Sequence, residues 1–346
     1  MVFLALPQKR SVKKMPDVLG IDTSNYTTSA ALYCGGEIYQ SKRLLPVKQG
    51  EMGLRQSDAV FHHVQQLPEV MKALPFGKAK IMAVGVSNRP RSMEGSYMPC
   101  FLAGVSAASA VSLTLGVPLY TFSHQQGHIA AALYSAGQLK LLRQRFLAFH
   151  VSGGTTEAVF CEPDCAEIFT TKIVAGSLDL KAGQAVDRVG VMLGLHFPAG
   201  LELEKLALRS QKQFRIHPSM KGCDCSLSGI QNQCFAMIQK GEPKEEIAAF
   251  CLQSVLAALD EMAAALLKKY GNLPLLFAGG VMSNSIIREA LTKKYGAFFA
   301  EPAFSTDNAA GIAVLTALKE EMCCDSGTSC INGNTAEHIP ESPVRG

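Results

Sequence analysis

Two histidines stand four positions apart in the segment SHQQGH, at His124 and His128. Side chains at i and i+4 share one face of an α-helix, so both imidazoles can bind a single cation. Gln125 stands where the zinc-peptidase pattern H-E-x-x-H has its general-base Glu. An amide cannot take a proton from water, so peptidase chemistry is disfavoured. The spacing predicts a metal site, with two unrelated helix-surface histidines as the alternative.

A third ligand to that ion is expected at Asp307, in the segment FSTDNAAG that precedes the last predicted helix. A carboxylate would complete an octahedral or open site with room for water or phosphate oxygens. Sequence spacing alone does not pair Asp307 with histidines that lie about 180 positions earlier.

Two turns rich in Ser, Gly and Thr have the composition of phosphate-binding turns. We call residues 22–28 (DTSNYTT) the first cradle and residues 152–156 (SGGTT) the second cradle. Hydroxyl groups and free backbone N–H groups in tight turns surround phosphate oxygens, and glycine lets the backbone approach closely. The first cradle offers Asp22 and Ser24 as candidate catalytic residues, and Asp22 can hold a metal-bound water or a ribose hydroxyl. The candidate substrate-binding residues of the second cradle are Ser152, Gly153, Gly154, Thr155 and Thr156. Ordinary strand ends are the alternative.

A third glycine turn and an unusual carboxylate complete the candidates. In FAGGVMSN (277–284), Asn284 stands near a predicted helix start, a suitable place to meet a nucleotide base or ribose. Asp187 lies among apolar residues at helical spacing, either as a structural cap or ion pair or as a carboxylate of the ligand cleft. We interpret His62 and His63 as surface imidazoles, and Cys223 and Cys225 as core thiols.

The elements that must position these residues follow a repeated pattern. VLGIDTSNYTTSAALY (18–33) and LAFHVSGGTTEAVF (147–160) each place a polar turn with a Thr-Thr pair between two apolar strands. The repetition predicts a duplicated α/β fold, with two unrelated hairpins as the alternative. Further strands are predicted at IMAVGVS, VPLYTFS and PLLFAGGV. Helices are predicted near 60–74, over 99–115, from His124, within 181–212, over 245–270, from Asn284 and after Asp307.

Composition sets the class of protein. With 346 residues, 48% hydrophobic and 18% charged, the chain can bury a large core and form two domains or one two-lobed unit. Eleven cysteines without a C-x-x-C pair predict reduced thiols in a cytosol rather than a zinc ribbon. The apolar start precedes its basic residues, the wrong order for a signal peptide, so we expect a cytoplasmic protein without a membrane partner. A net charge of +4 leaves open both a nucleic-acid partner and an ordinary soluble enzyme.

The predicted organisation has four parts. Residues 1–16 form a basic arm and residues 17–145 an N-terminal lobe. Residues 146–320 form a C-terminal lobe whose last helix packs back on the N-terminal lobe. Residues 321–346 form a mobile tail.

Seven segments occur in the order found in one family: VLGIDTSNYTTSAALY, SHQQGHIAAALYSAG, HVSGGTTEAVF, AGQAVDRVGVMLGLHFPAG, CSLSGIQ, FAGGVMSN and STDNAAGIA. Over residues 17–318 the chain resembles the tRNA threonylcarbamoyladenosine synthases, the glycoprotease-like proteins. The resemblance implies an α/β fold, the actin/Hsp70/sugar-kinase superfold, with two ribonuclease-H-like lobes around a nucleotide cleft.

The resemblance also implies a reaction and its site. His124, His128 and Asp307 match the family's ligands to Fe²⁺ or Zn²⁺, and the second cradle matches the loop that contacts threonylcarbamoyl-AMP. Further positions that match substrate contacts are Asp187, Gly200, Glu204 and Asn284. The implied reaction is transfer of the threonylcarbamoyl group to N6 of adenosine 37 in tRNAs that read codons starting with A. The implied partners are tRNA, the accessory proteins of that modification, or a paralogous homologue.

The chain departs from the family's pattern at several positions. The family's first turn reads T-S-C-D-E-T, so Tyr26 and Thr27 replace two carboxylates, and Thr155 replaces a histidine. Leu180 stands in place of a second Asp after Asp179, and a glycine–proline–glycine turn has become 89–91 (RPR). These departures leave a second hypothesis open, a catalytically degenerate paralogue that binds nucleotide and metal in a regulatory or partner-binding role.

Overall fold

The computed structural model of the protein describes residues 15–24, 26–46 and 54–325. Two five-stranded sheets form its frame. The first sheet has the order β3-β2-β1-β4-β5. Its strands are β1 (Val18–Thr23), β2 (Thr27–Cys34), β3 (Glu37–Leu44), β4 (Ala83–Arg89) and β5 (Leu119–Ser123).

The second sheet repeats this topology. Its strands are β6 (Phe146–Val151), β7 (Thr156–Asp164), β8 (Ile168–Gly176), β11 (Leu275–Ala278) and β12 (Phe298–Phe299). Their order, β12-β11-β6-β7-β8, equals that of the first sheet read from the other edge. In both sheets the first three strands are antiparallel neighbours and the last two join in parallel. The predicted duplication is therefore confirmed.

Nine helices of the described residues cover and connect the sheets. They are α1 (Gln56–Lys72), α2 (Phe101–Leu115), α3 (His124–Ser135), α4 (Ala182–Met192), α5 (Gly200–Ala207), α6 (Ser228–Gln239), α7 (Lys244–Tyr270), α8 (Ser285–Tyr295) and α9 (Ala310–Asp325). Two short strands, β9 (Ser219–Lys221) and β10 (Asp224–Ser226), form a separate hairpin that contains Cys223 in its turn and Cys225 in β10.

Helices α3 and α9 lie between the two sheets. Helix α9 packs on α3 and on β1, β2 and β4 of the first sheet. On its other side, Ile312 and Leu315 share a buried cluster with Phe146 and Leu276 of the second sheet. Helix α3 packs on α9 and shares the same buried cluster through Ile129 and Leu133. This apolar burial fixes the position of α3, which begins at the metal-ligand candidate His124.

The predicted helical region 181–212 contains two helices with a break between them. The structure divides it into α4 and α5, and no helix follows within 210–218. Gly194, at φ +83°, ends the α4 segment in a left-handed turn that L-residues rarely adopt. Pro198 lacks the N–H that a continuing helix would need. The break places Gly200 at the start of α5.

The ends of the chain are only partly described. Helix α9 continues to Asp325, and residues 326–346 of the predicted tail lie outside the described residues. The predicted basic arm also lies outside them except for residues 15 and 16. Among the described helices, α7 is the one long and apolar enough to cross a membrane, and half of its most apolar window is buried inside the protein. That environment is typical of a core helix.

Candidate metal centre and ligand cleft

A cavity of about 620 Å³ separates the two lobes and brings most of the candidate residues together. The ends of β1 and β6, the start of α3, the end of β11 and the loop before α9 all reach it. Of the sequence candidates, those that line the cavity are Ser24, His124, His128, Ser152, Gly154, Thr155 and Asp307. One cleft therefore holds the predicted metal ligands and the second cradle.

The predicted metal ligands form a compact cluster. The Nε2 atoms of His124 and His128 lie 2.9 Å apart, and Asp307 Oδ1 lies 3.6 Å and 3.1 Å from them. A capping box between Ser123 and Gln126 starts α3, which turns both imidazoles to one side. Asp307 reaches them because its loop is held by Asn308, whose amide donates to the Phe304 and Thr306 carbonyls.

Asp22 holds the first of these histidines from behind. Its Oδ2 lies 2.9 Å from His124 Nδ1, and its Oδ1 accepts a hydrogen bond from Ser87. The carboxylate is 1% exposed, so it does not line the cleft. A carboxylate that fixes Nδ1–H leaves the Nε2 lone pair for a metal, which is the usual outer contact of a metal-bound histidine. Sequence reasoning made Asp22 a catalytic candidate and missed this contact. Its position at a strand end beside the cleft was the available signal.

The carboxylates around His124 stabilise a positive charge at the cluster. Burial disfavours a charged imidazole at His124, but the carboxylates of Asp22 and Asp307 outweigh it and raise its pKa to about 10. Burial also opposes ionisation of Asp307, yet the two imidazoles hold the pKa of that carboxyl well below its usual range. At His150, whose ring centroid lies 5.1 Å from that of His128, burial and the neighbouring histidines lower the pKa to about 3.

The donor set fits a transition-metal ion. Two imidazole nitrogens and a carboxylate oxygen, all within 4.8 Å of one another, are ligands that zinc and ferrous iron share. Atoms bound to one such ion at about 2.0–2.2 Å lie roughly 3 Å apart, as these do. Within the described residues this is the one group of His, Cys, Asp and Glu side chains close enough to hold an ion.

The hydroxyl groups of the first cradle are bonded to the cluster and to α1. Ser24 Oγ and Thr27 Oγ1 donate to Asp307 Oδ2 at 3.4 Å and 3.2 Å. Thr28 Oγ1 lies 2.8 Å from Nδ1 of His63 on α1. His63 is fully buried, so its interpretation as a surface imidazole is wrong: it packs beneath the cradle. Asn25 lies outside the described residues.

The second cradle is open. The Ser152 Oγ accepts the N–H groups of Gly154 and Thr155, at 3.3 Å and 3.1 Å, and so shapes the turn. A Cβ on Gly153 or Gly154 would meet no atom within 4 Å, so both glycines face open space. Thr156 is buried and caps α4 instead, by accepting the Ala182 N–H.

The remaining four candidates lie on the helices beside the second cradle and do not line the cavity. Asp187 accepts the N–H of Ala199, a contact of the structural kind, just before Gly200. Glu204 accepts the N–H of Ser285 at 2.8 Å, next to Asn284. Asn284 Oδ1 caps α8 by accepting the Ile287 N–H, and its amide nitrogen is not needed for that contact.

Sequence reasoning also missed a charged group in the cleft. Arg91 donates to Glu157 at 2.9 Å, and Gln125 donates to the other oxygen of the same carboxylate at 3.1 Å. All three line the cavity. On the far side, Lys42 Nζ donates to Thr306 Oγ1 at 2.6 Å, next to the ligand Asp307. The charge of Arg91 was visible in the sequence, but its partner lies 66 positions away.

Comparison with known proteins identifies relatives of this chain. A model of the family described as tRNA N6-adenosine threonylcarbamoyltransferase matches residues 48–314. Proteins of that name from Thermosipho africanus and Thermus thermophilus are 31% and 30% identical to the chain. Each alignment covers 86% of the chain, and 92% and 91% of the relative. A probable bifunctional tRNA threonylcarbamoyladenosine biosynthesis protein from Thermoplasma volcanium is 29% identical over 80% of the chain and 50% of its own length.

Solved structures agree on the fold. Full-length HypF in its phosphate- and nucleotide-bound form matches 91% of the chain and 57% of its own, with a TM-score of 0.57 and 15% identity. Component A of the Acidaminococcus fermentans (R)-2-hydroxyglutaryl-CoA dehydratase matches 88% of the chain and 99% of its own, with a TM-score of 0.52 and 16% identity. The expected actin/Hsp70/sugar-kinase superfold is confirmed.

Proposed function

The chain belongs to the tRNA N6-adenosine threonylcarbamoyltransferase family, and we propose that it transfers a threonylcarbamoyl group from threonylcarbamoyl-AMP to tRNA. The acceptor is N6 of adenosine 37 in tRNAs that read codons starting with A. A family of acyltransferases supplies the reaction class. One observation of this chain carries the proposal: the His124, His128 and Asp307 cluster shares a cleft with the open second cradle.

The cluster would hold a metal ion, Fe²⁺ or Zn²⁺. That ion would supply Lewis-acid chemistry to the phosphate or carbamoyl oxygens of the adenylate. Asp22 orients His124, so it acts as a positioning residue rather than a group that touches substrate. Ser24 touches Asp307 and orients that ligand in the same way.

The second cradle holds the phosphate of the adenylate. In the transfer, the N6 lone pair attacks the carbamoyl carbon, the bond from that carbon to the phosphate oxygen breaks, and N6 loses a proton. The phosphate gains negative charge as AMP leaves. The hydroxyl groups of Ser152 and Thr155, which line the cavity, are placed to stabilise that charge. Thr156 holds the cradle against α4.

The nucleoside extends from the cradle over α4, α5 and α8, where Asp187, Gly200, Glu204 and Asn284 are its proposed contacts. Glu204 of α5 contacts the start of α8 there. The amide nitrogen of Asn284, which the α8 cap does not use, is suited to donate to a base or ribose oxygen. The proposed lobes are residues 17–145 and 146–320, as the sequence predicts. The proposed partners are tRNA and the accessory proteins of the modification, and the proposed location is therefore the cytoplasm.

The test is product formation. The purified protein is added, with the accessory proteins, to an extract depleted of the endogenous enzyme, and the modified nucleoside is measured by mass spectrometry. We expect product with the wild-type chain and none with His128→Ala. Bound metal and nucleotide without product would contradict the proposal and favour the degenerate paralogue.

A further inference from the structure

The loop after β4 places one arginine of the pair Arg89 and Arg91 in the ligand cleft. Arg91 lines the cavity, whereas Arg89 does not. The backbone N–H of Arg91 donates to Ser96 Oγ at 3.0 Å, so the loop is held in place. The Arg91 side chain is 42% exposed, and its partner Glu157 is 13% exposed. The arginine therefore presents its charge to the cleft while the carboxylate lies behind it.

Both carboxylate oxygens of Glu157 accept a hydrogen bond, whereas most N–H groups of Arg91 are not used in this contact. Gln125 donates to Glu157 Oε1, and Arg91 donates to Oε2 through Nη2. A guanidinium has five N–H groups in a rigid fork. One of them makes this contact, which leaves donors for a ligand.

The position of Arg91 lies between the two halves of the candidate site. Gln125 follows the metal ligand His124, and Glu157 follows the second cradle directly in sequence. A group that contacts Arg91 is therefore close to both the cluster and the cradle. Lys42, beside Asp307, adds a second positive charge at the cluster.

We propose that Arg91 is a specificity-determining residue that binds an oxyanion of the substrate, either the phosphoryl group of the adenylate or the carboxylate of the transferred amino acid. This inference rests on the proposed function. Arginine binds both groups through paired N–H donors, which fixes their orientation as well as their charge. The Glu157 carboxylate holds the fork in place and competes with the ligand for it.

A purely structural role is the competing explanation, because the pair also joins the two lobes. Arg89 offers the matched comparison. It ends β4, two positions before Arg91, and pairs with Glu167 of the C-terminal lobe at 3.3 Å, but it lies outside the cavity lining. A structural bridge and an oxyanion site therefore predict different results for these two arginines.

The experiment measures ligand affinity by calorimetry on the metal-loaded full chain. The probes are adenosine, AMP, and a hydrolysis-resistant analogue of threonylcarbamoyl-AMP with its carboxylate free or amidated. For Arg91→Gln we expect the dissociation constant of the probe that carries the recognised oxyanion, AMP or the free-carboxylate analogue, to rise about tenfold to a hundredfold. The dissociation constant of adenosine should stay unchanged. Loss on AMP assigns the phosphoryl group. Loss confined to the free-carboxylate analogue assigns the carboxylate.

Two further variants separate binding from folding. Arg89→Gln should change every affinity by less than about twofold, since it removes an ion pair of similar kind that lies outside the cleft. Glu157→Gln should tighten binding of the charged probe by about two- to fivefold, because it removes the competing carboxylate. Equal losses in Arg91→Gln and Glu157→Gln, or no loss in Arg91→Gln, would overturn the inference. If the wild type binds none of the four probes, the proposed function fails instead.

Discussion

The two cradles occupy equivalent positions in the two sheets, between β1 and β2 and between β6 and β7, yet their polar groups face different partners. In the first cradle Asp22 and Ser24 are 1% and 3% exposed and bond to protein groups. In the second, Gly153 and Gly154 face open space. One turn is bonded to the candidate metal ligands, and the glycines of the other face the open cleft.

The difference teaches that a duplicated frame fixes where a turn lies but not what it binds. The first cradle lies against the loop before α9, and that loop brings Asp307 to its hydroxyls. The second cradle instead bonds to the start of α4 through Ser152 and Thr156, and its Ser152 hydroxyl is used to shape the turn. We therefore expect metal binding to depend on the first cradle and nucleotide binding on the second.

The largest expected effect is loss of the ion in His128→Ala. Removing one of three protein ligands should lower the metal content to below roughly 0.1 ion per chain, since most of the binding free energy requires the full set. Mass-spectrometric metal analysis measures it. His217→Ala, an exposed histidine outside the cleft, is the control and should keep its ion. Unchanged metal in His128→Ala would remove the site assignment.

A smaller loss of metal is expected for Asp22→Asn. The amide keeps the shape but loses the charge that fixes His124, so zinc affinity should fall about tenfold to a hundredfold. A competition titration with a chelating dye measures the dissociation constant. The control is Asp17→Asn. Asp17 precedes the first residue of β1 and accepts the Gly35 and Lys80 N–H groups, and its substitution should leave the dissociation constant unchanged. An equal effect in both would mean that β1 matters only for folding.

The sequence predicted the frame better than the contacts within it. The strand–turn–strand repeat around Thr27 and Thr156 was visible because it depends on local polarity. The shared face of His124 and His128 was visible because helical spacing is local. The contact from Asp22 to His124 joins residues 102 positions apart, and that from Arg91 to Glu157 spans 66. Such contacts depend on how the sheets and α3 pack, which no local pattern records.

The break between α4 and α5 was missed for a different reason. Apolar residues recur through 181–212 at spacing suited to a helix, so periodicity alone extended it. The stop signals were Gly194 and Pro198, which act through backbone geometry rather than polarity. The same limit applied to Asp187, whose contact with the Ala199 N–H lies 12 positions away and is recorded by no periodic pattern.

A change confined to the second cradle should affect nucleotide and leave metal alone. Gly154→Ala adds a methyl group that meets no protein atom, so the melting temperature should stay within about 1 °C. Because Gly154 lines the cavity, that methyl group should weaken AMP binding about three- to tenfold. Calorimetry and metal analysis on the same sample measure both.

Gly77→Ala is the control for this substitution, because its added methyl also meets no atom and the residue lies outside the cleft. It should change neither affinity. Loss of metal in Gly154→Ala would contradict the expectation that metal binding depends on the first cradle and nucleotide binding on the second.

The smallest effect is expected for Thr27→Val in the first cradle. Valine keeps the shape and removes one hydroxyl that donates to Asp307 Oδ2 at 3.2 Å, while Ser24 still donates to the same oxygen. A hydrogen bond to a charged group contributes about 1.5–3 kcal/mol to stability. Only the part that orients Asp307 bears on the ion, so with Ser24 still donating, zinc affinity should fall about two- to fivefold. The dye competition used for Asp22→Asn measures it, with Ser24→Ala as the matched variant. A loss as large as that of Asp22→Asn would mean that Thr27 binds the ion itself, and the first cradle would then be a ligand-binding turn like the second.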